Sequence, residues 1–238
     1  MKTKAIIFDK DGTLIDFDSF WLTISYKAIE DILKKVKSDL DLVEEILSAL
    51  GVNNNTTDIN GVLCKGTYAQ MGQAIYSVLK KHGCDITQAA IVKLTIDAYH
   101  ANFGEGIVQP ACENIYDVLS RLKKLGLKLA VVTTDDELFT KRCLQTLGID
   151  KLFDYIYTDN NTYPAKPDAY CINDFCEREH LLKSEVVMVG DTLTDIQFAR
   201  NGGIKVVGVS KSEGNKSFLE GKADSVIPDI SYIFDVIE

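Results

Sequence analysis

No stretch of this 238-residue chain stays apolar for the length of a membrane span, so neither a transmembrane anchor nor a membrane partner is expected. The chain enters its first apolar run at residue 5, so no signal peptide is expected. Positive charge is in the minority, with 26 Lys and Arg against 35 Asp and Glu and a formal net charge of -9. Such a chain repels a phosphate backbone, so no nucleic-acid partner is expected. The three histidines (His82, His100 and His180) are scattered singly, and zinc ligation needs them clustered. The six cysteines (Cys64, Cys84, Cys112, Cys143, Cys171 and Cys176) form no Cys-x-x-Cys pair. They sit in helical or apolar context and read as small core residues of a reducing, cytoplasmic compartment. There is no internal repeat and no low-complexity tract.

What is present is a core and a pattern of strand ends. Apolar residues make up 46% of the chain, enough for a packed interior, and the length suits one large domain or one domain with an insert. Residues Ala5 to Phe8 read as a buried strand, evenly apolar and short. Asp9-Lys10-Asp11-Gly12-Thr13 follows at once. Two carboxylates crowded at one strand end repel each other and need a cation, a shared proton, or both. Asp-x-Asp-Gly is also a common turn sequence. A calcium loop would need further oxygen ligands after the glycine and a closing Glu, whereas Leu14, Ile15 and Phe17 follow here. The arrangement recurs: Leu129 to Val132 is an apolar strand ending in Thr133-Thr134, and Val186 to Val189 ends in Gly190-Asp191 with Asp195 beyond. Between them Lys166-Pro167 presents a cation in a loop. A hydroxyl after a strand is often a helix cap, and Lys-Pro is often a solvated turn. The four pieces in this order exceed what capping explains.

Periodicity organises the rest. After Thr13, apolar residues at three-four spacing (Phe20, Trp21, Ile24, Ala28, Ile29, Ile32, Leu33) predict a helix. A second runs from Leu40 past Leu47 to Gly51, and Asn53 to Thr57 reads as a polar loop. Helices are expected over 66–82 and 86–101, broken at Gly83, so residues 16–105 form an all-helical block with no strand. Phe103-Gly104-Glu105-Gly106 reads as a flexible exit. From Pro110 helices and strands alternate: helix 111–125, strand 128–133, helix 136–147, strand 155–158, helix 168–180, strand 186–189, helix 193–201 and strand 205–209. A short strand at 225–227 and a helix from 230 close the chain. Alternation implies an α/β fold, a three-layer Rossmann-like core with a parallel sheet. The core takes residues 1–15 and 106–238, and the helical insert takes 16–105.

With these residues in place, the chain resembles the haloacid dehalogenase superfamily of hydrolases, in its phosphoglycolate-phosphatase-like branch. Asp9-Lys10-Asp11-Gly12-Thr13 matches its first motif, Thr133 the second, Lys166 the third, and Gly190-Asp191-Thr192-Leu193-Thr194-Asp195 the fourth. The match covers residues 1–15 and about 106–210, and the resemblance makes the helical insert a C1-type cap. Two residues depart from the pattern. Lys10 stands where an apolar residue is more usual, and its side chain is expected to point away from the site. Thr134 stands where many relatives carry Asn.

The resemblance implies a magnesium-dependent phosphatase acting on a small phosphorylated metabolite. Asp9 would be the nucleophile, forming an aspartyl phosphate. Magnesium, a hard ion, would be held by Asp9, the backbone carbonyl of Asp11, and Asp191. Asp11 would be the general acid and base. Thr133 would hydrogen-bond a phosphoryl oxygen and Lys166 would balance charge. Thr13, Thr134 and Asp195 would support the metal or the phosphate, and Asp195 also fits a helix N-terminus by charge alone. An insert on two connections beside the mouth can close over a small substrate and exclude water. Its candidate specificity residues are Asp16, Asp18, Trp21, Lys27, Lys65, Thr67 and Tyr68.

Two other functions compete, a sugar-phosphate mutase and a non-catalytic binding domain. The full set of acids with the lysine argues against an idle domain, since clustering such charges is costly. Mutase relatives usually carry a residue other than Thr at the position of Thr13. Phosphonate-cleaving and dehalogenating relatives lack the acid at the position of Asp11.

Overall fold

The computed structural model describes residues 2–38, 40–54, 56–58, 61–159 and 162–237. The chain folds into two compact units, one of residues 1–16 and 108–238, the other of residues 17–107.

The first unit is built on a six-stranded sheet. Its strands are β1 (Ala5–Phe8), β4 (Lys128–Val132), β5 (Tyr155–Tyr157), β6 (Val186–Gly190), β7 (Lys205–Val209) and β8 (Ser225–Ile227). Their order is β5-β4-β1-β6-β7-β8, and every pairing is parallel. The sheet explains its own sequences. Ala5, Ile7, Ala130, Val132, Val186 and Met188 share a cluster with Ile172 and Phe175 of α8 (Tyr170–Arg178) and with Phe198 and Ala199 of α9 (Leu193–Gly202). Ile6, Phe8, Leu129, Val131, Val187 and Val189 alternate to the opposite face and are buried there too. A strand covered on both faces reads as a continuous apolar run. The remaining helices of the unit are α6 (Ile115–Lys124), α7 (Glu137–Thr146) and α10 (Glu213–Leu219).

β1 lies between β4 and β6, with Phe8 opposite Val131 on one side and Val189 on the other. The chain thus leaves β1 toward β4 and β5 on one side and later returns to β6, β7 and β8 on the other. Such a reversal of strand order opens a crevice outside the strand ends, where α/β proteins bind ligands. Asp9, Thr133 and Asp191 are the residues that follow β1, β4 and β6.

The second unit contains α1 (Phe17–Val36), α2 (Val43–Ala49), a short ladder of β2 (Val52–Asn53) and β3 (Thr56–Thr57), α3 (Val62–Lys65), α4 (Tyr68–Lys81) and α5 (Gln88–Asn102). α5 packs on both α4 and α1. Gly72 makes the first of these approaches close, because a Cβ there would meet the Val92 Cα at 2.7 Å. The buried Tyr99 hydroxyl donates to Ser25 Oγ at 3.0 Å across α5 and α1. Thr67 and Thr87 cap α4 and α5 through their side-chain oxygens.

Some sequence expectations change. The all-helical reading of the insert gains a two-residue antiparallel ladder, Val52 with Thr57 and Asn53 with Thr56. β-Branched Val52 and Thr57 pair readily, and Asn54 takes the left-handed turn at φ 51° that asparagine tolerates. Asn55 of that expected loop lies outside the described residues. The helix expected from 66 begins at Tyr68, since Thr67 is extended and serves as the cap. Phe103–Glu105, read as a flexible exit, is a 3-10 turn with Phe103 buried. Ile230–Asp235 is 3-10 rather than α-helical. No helix among the described residues is long and apolar enough to cross a membrane. All six cysteines are free, four of them buried.

Candidate active site

The site starts with the turn that ends β1. The Asp9 amide donates to Val189 O at 2.8 Å, continuing the ladder one residue past the strand. The chain then doubles back: the amides of Leu14 and Ile15 both donate to Lys10 O, at 2.9 and 3.0 Å, and Gly12 N donates to Ile15 O at 2.8 Å. Gly12 carries φ +78°, a conformation side chains resist. A Cβ on Gly12 would also lie 2.2 Å from Asp191 Oδ2. The turn is therefore pressed against the acid that follows β6, and Thr13 Oγ1 reaches Asp191 Oδ1 at 3.5 Å.

Lys166 is the cation of this mouth. Its Nζ donates to Asp9 Oδ1 at 2.5 Å and to Asp195 Oδ1 at 2.7 Å, with all three side chains nearly or fully buried. Asp195 is in turn fixed by Thr192, whose amide and hydroxyl donate to Asp195 Oδ2 at 3.0 and 2.6 Å. The Asp195 amide donates back to Thr192 Oγ1 at 3.3 Å, closing a reciprocal cap on α9. Asp195 thus fits both roles read from the sequence, the helix N-terminus and the lysine's partner.

Burial and mutual repulsion dominate the electrostatics. Burial raises Asp9 to about 7; Lys166 opposes the rise, and Asp195 and Asp11 add to it. Asp191 is raised well above its ordinary value, first by burial and then by Asp9 and Asp195. Lys166 is held above its ordinary value because Asp195 and Asp9 together outweigh its burial. Ligand oxygens of Asp9, Asp191 and Asp195 come within 4.8 Å of one another. Three carboxylates served by one lysine leave an excess of negative charge, and their hard oxygens suit a hard divalent cation. The donor set therefore fits magnesium.

Thr133 is buried where β4 ends; its amide donates to Tyr157 O at 3.0 Å, and its Oγ1 accepts from Asp135 N at 3.1 Å. Thr134 is exposed beside it. The expectation for Lys10 is overturned. Its side chain is fully buried and turns toward Asp11, with Nζ 2.7 Å from Asp11 Oδ1 and 3.0 Å from Asp135 Oδ2. The chain reverses directly after Asp9, with the amides of Leu14 and Ile15 on Lys10 O, so strand alternation does not set the direction of Lys10. Asp135 was missed from the sequence; its signal is an acid two residues after the threonine that ends a central strand. Burial lifts Asp135 to about 6 against the pull of Lys10.

Several specificity candidates in the helical unit have structural duties. Asp18 Oδ1 accepts from Thr57 Oγ1 at 2.6 Å, Trp21 is buried against Phe20, and Thr67 caps α4. Tyr68 packs edge-on against Tyr99 and His100. Lys27 and Lys65 are exposed. Asp16, in the first unit, pairs its amide with Gln109 O at 2.9 Å, so the two chain segments bounding the insert run side by side.

A parallel sheet that gathers lysine-bridged carboxylates at the end of its central strand is the frame of an enzyme. The family model of haloacid dehalogenase-like hydrolases matches residues 3–203, and the chain belongs to that family. It is 26% identical to a phosphoglycolate phosphatase of Psychrobacter arcticus, over 88% of this chain and 84% of that protein. It is 29% identical to a pyrophosphatase PpaX of Bacillus cereus, over 100% of this chain and 97% of that protein. Among solved structures, a predicted phosphoglycolate phosphatase from Haemophilus somnus has the same fold, with a TM-score of 0.75 at 24% identity, covering 99% of this chain and 98% of that one.

Proposed function

We propose that this protein is a magnesium-dependent phosphatase that hydrolyses a small phosphomonoester through an aspartyl phosphate on Asp9. The observation that carries the reading is Asp9 at the end of β1, bridged by Lys166 to Asp195 and gathered with Asp191. Asp9 and Asp191, with the backbone carbonyl of Asp11, would hold magnesium, which supplies a counter-charge for the carboxylates and the phosphoryl oxygens. Lys166 aims the Asp9 carboxylate and keeps it from swinging, so one oxygen meets phosphorus in line. Thr133 and the backbone N–H groups near Lys10, Asp11 and Thr134 receive the phosphoryl oxygens. Asp11 gives a proton to the leaving alkoxide and then takes one from the water that cleaves the aspartyl phosphate.

The substrate class is a small phosphorylated metabolite. The names of the relatives point to phosphoglycolate and to pyrophosphate as first candidates. Six free cysteines suit work in the cytoplasm. The test is phosphate release from a panel of phosphoglycolate, sugar phosphates, nucleotides and pyrophosphate, with and without magnesium. Release from at least one small ester, without any bisphosphate primer, is expected. Isomerised sugar phosphate that accumulates only with a bisphosphate would make the protein a mutase, and no turnover at all would reject the enzyme reading.

A further inference from the structure

The first motif carries a lysine to which the proposed chemistry gives no task. Lys10 has no exposed surface. Its amine is held by carboxylates from two strand ends, Asp11 Oδ1 at 2.7 Å in the turn after β1 and Asp135 Oδ2 at 3.0 Å in the turn after β4. Asp135 is itself well anchored. Its amide donates to Thr133 Oγ1 at 3.1 Å, its carbonyl accepts from Asp159 N at 2.8 Å, and its Oδ1 accepts from Asp136 N at 2.9 Å. Asp136 caps α7 through Phe139 N at 2.9 Å. Hydrogen bonds from α7 and from the segment after β5 therefore fix Asp135, an ion pair joins Asp135 to Lys10, and a hydrogen bond carries on from Lys10 to the Asp11 carboxylate.

We infer that Lys10 is a positioning residue: stapled to Asp135, it sets the direction of the Asp11 carboxylate relative to Thr133. The inference rests on Asp11 being the general acid and base. The Asp11 side chain is 17% exposed, and the ammonium that meets it is itself held by a second carboxylate. A proton donor must sit within hydrogen-bond reach of the leaving oxygen, and small misplacements are costly in rate. Asp135 fixes the lysine, and it ties the turn that carries Asp11 to the turn that carries Thr133.

The experiment compares kcat/KM, which reports formation of the aspartyl phosphate and not its hydrolysis, for an alkyl phosphomonoester, whose leaving group needs a proton, and for p-nitrophenyl phosphate, whose leaving group needs little. Lys10→Met should lower the alkyl kcat/KM by about tenfold to a hundredfold and the aryl kcat/KM far less. If Lys10→Met does not fold, Lys10→Met combined with Asp135→Asn removes one of the two stranded carboxylates and is read in the same way. Asp135→Asn alone keeps the cation but loosens its anchor, and should shift the alkyl-to-aryl ratio in the same direction by a smaller factor; it decides the matter if neither other variant folds. An unchanged ratio, or an equal loss on both substrates, overturns the role for Lys10. Asp11→Asn measured alongside separates the two claims: a leaving-group-selective loss there, without one in the Lys10 and Asp135 variants, rejects the staple and keeps the acid. No selective loss in Asp11→Asn rejects the acid itself.

Discussion

Lys166 Nζ stands 2.5 Å from Asp9 Oδ1, joining residues 157 positions apart, and the same amine reaches Asp195 Oδ1 at 2.7 Å. A lysine between two buried acids is a directional device as well as a counter-charge. It fixes which oxygen of Asp9 is engaged, and it offsets part of the rise that burial imposes on the Asp9 carboxyl.

Replacing the cation tests both duties. Lys166→Met leaves Asp9 and Asp195 without their shared partner, and breaking a buried pair on one side costs about 3–5 kcal/mol. The variant should melt well below the wild type. Its kcat should fall by at least about a hundredfold, since a charge-stabilising group is lost. Near-normal turnover in a folded Lys166→Met protein would remove Lys166 from the chemistry.

Asp9→Asn keeps the shape of the side chain and removes the carboxylate proposed as the nucleophile. Turnover should vanish while the circular dichroism spectrum is retained. Beryllofluoride should modify the wild-type Asp9 and leave the variant unmodified, as read by mass spectrometry or fluorine NMR. A folded Asp9→Asn protein with substantial activity would overturn the assignment.

Metal dependence follows from the crowding of Asp9, Asp191 and Asp195. Chelator should abolish activity and magnesium should restore it. Calcium should inhibit, because its larger and looser coordination misplaces the nucleophile. Full activity in EDTA, or rescue by zinc alone, would reject the site.

The same crowding sets a pH trend in the metal-free protein. Asp9 is raised to about 7 and Asp135 to about 6. An acid whose folded pKa lies above its unfolded value adds stability below the unfolded value and loses it as pH rises through the folded one. Melting temperature in chelator should therefore decline between about pH 4 and about pH 7. Magnesium favours the ionised carboxylates and should flatten that decline. A melting temperature that rises with pH across this window in chelator would contradict the buried-acid picture.

Much of this was legible in the sequence because a sheet buried on both faces writes its strands as apolar runs. β1, β4 and β6 announce themselves in this way, and Asp9, Thr133 and Asp191 follow as punctuation. Lys10 was illegible, since its direction depends on a turn that reverses within three residues and on Asp135 more than a hundred positions away. The β2–β3 ladder is only two residues long on each side, too short for alternation to register. The helix Glu213–Leu219 was also passed over; seven residues that include a glycine carry little periodic signal. The duties of Asp18 and Tyr68 depend on residues from other parts of the helical unit, Thr57 in one case and Tyr99 and His100 in the other.

Gly12 presses the turn against Asp191, and Gly12→Ala isolates that contact. The glycine has φ +78°, and an added Cβ would fall 2.2 Å from Asp191 Oδ2 and 2.6 Å from its Cγ. The methyl group can be housed only by moving the turn or displacing the Asp191 carboxylate. The backbone strain alone costs on the order of 1–3 kcal/mol, so the denaturation midpoint should fall. Displacing Asp191 should also weaken magnesium binding, measured by calorimetric titration, and lower kcat at fixed magnesium. Excess magnesium should recover part of the activity and none of the turn's intrinsic strain. Wild-type metal affinity with a lowered midpoint would mean that the turn moves and Asp191 stays in place; wild-type affinity in Asp191→Asn as well would mean that Asp191 does not hold the ion, and the ligand set would have to be redrawn around Asp9 and Asp195.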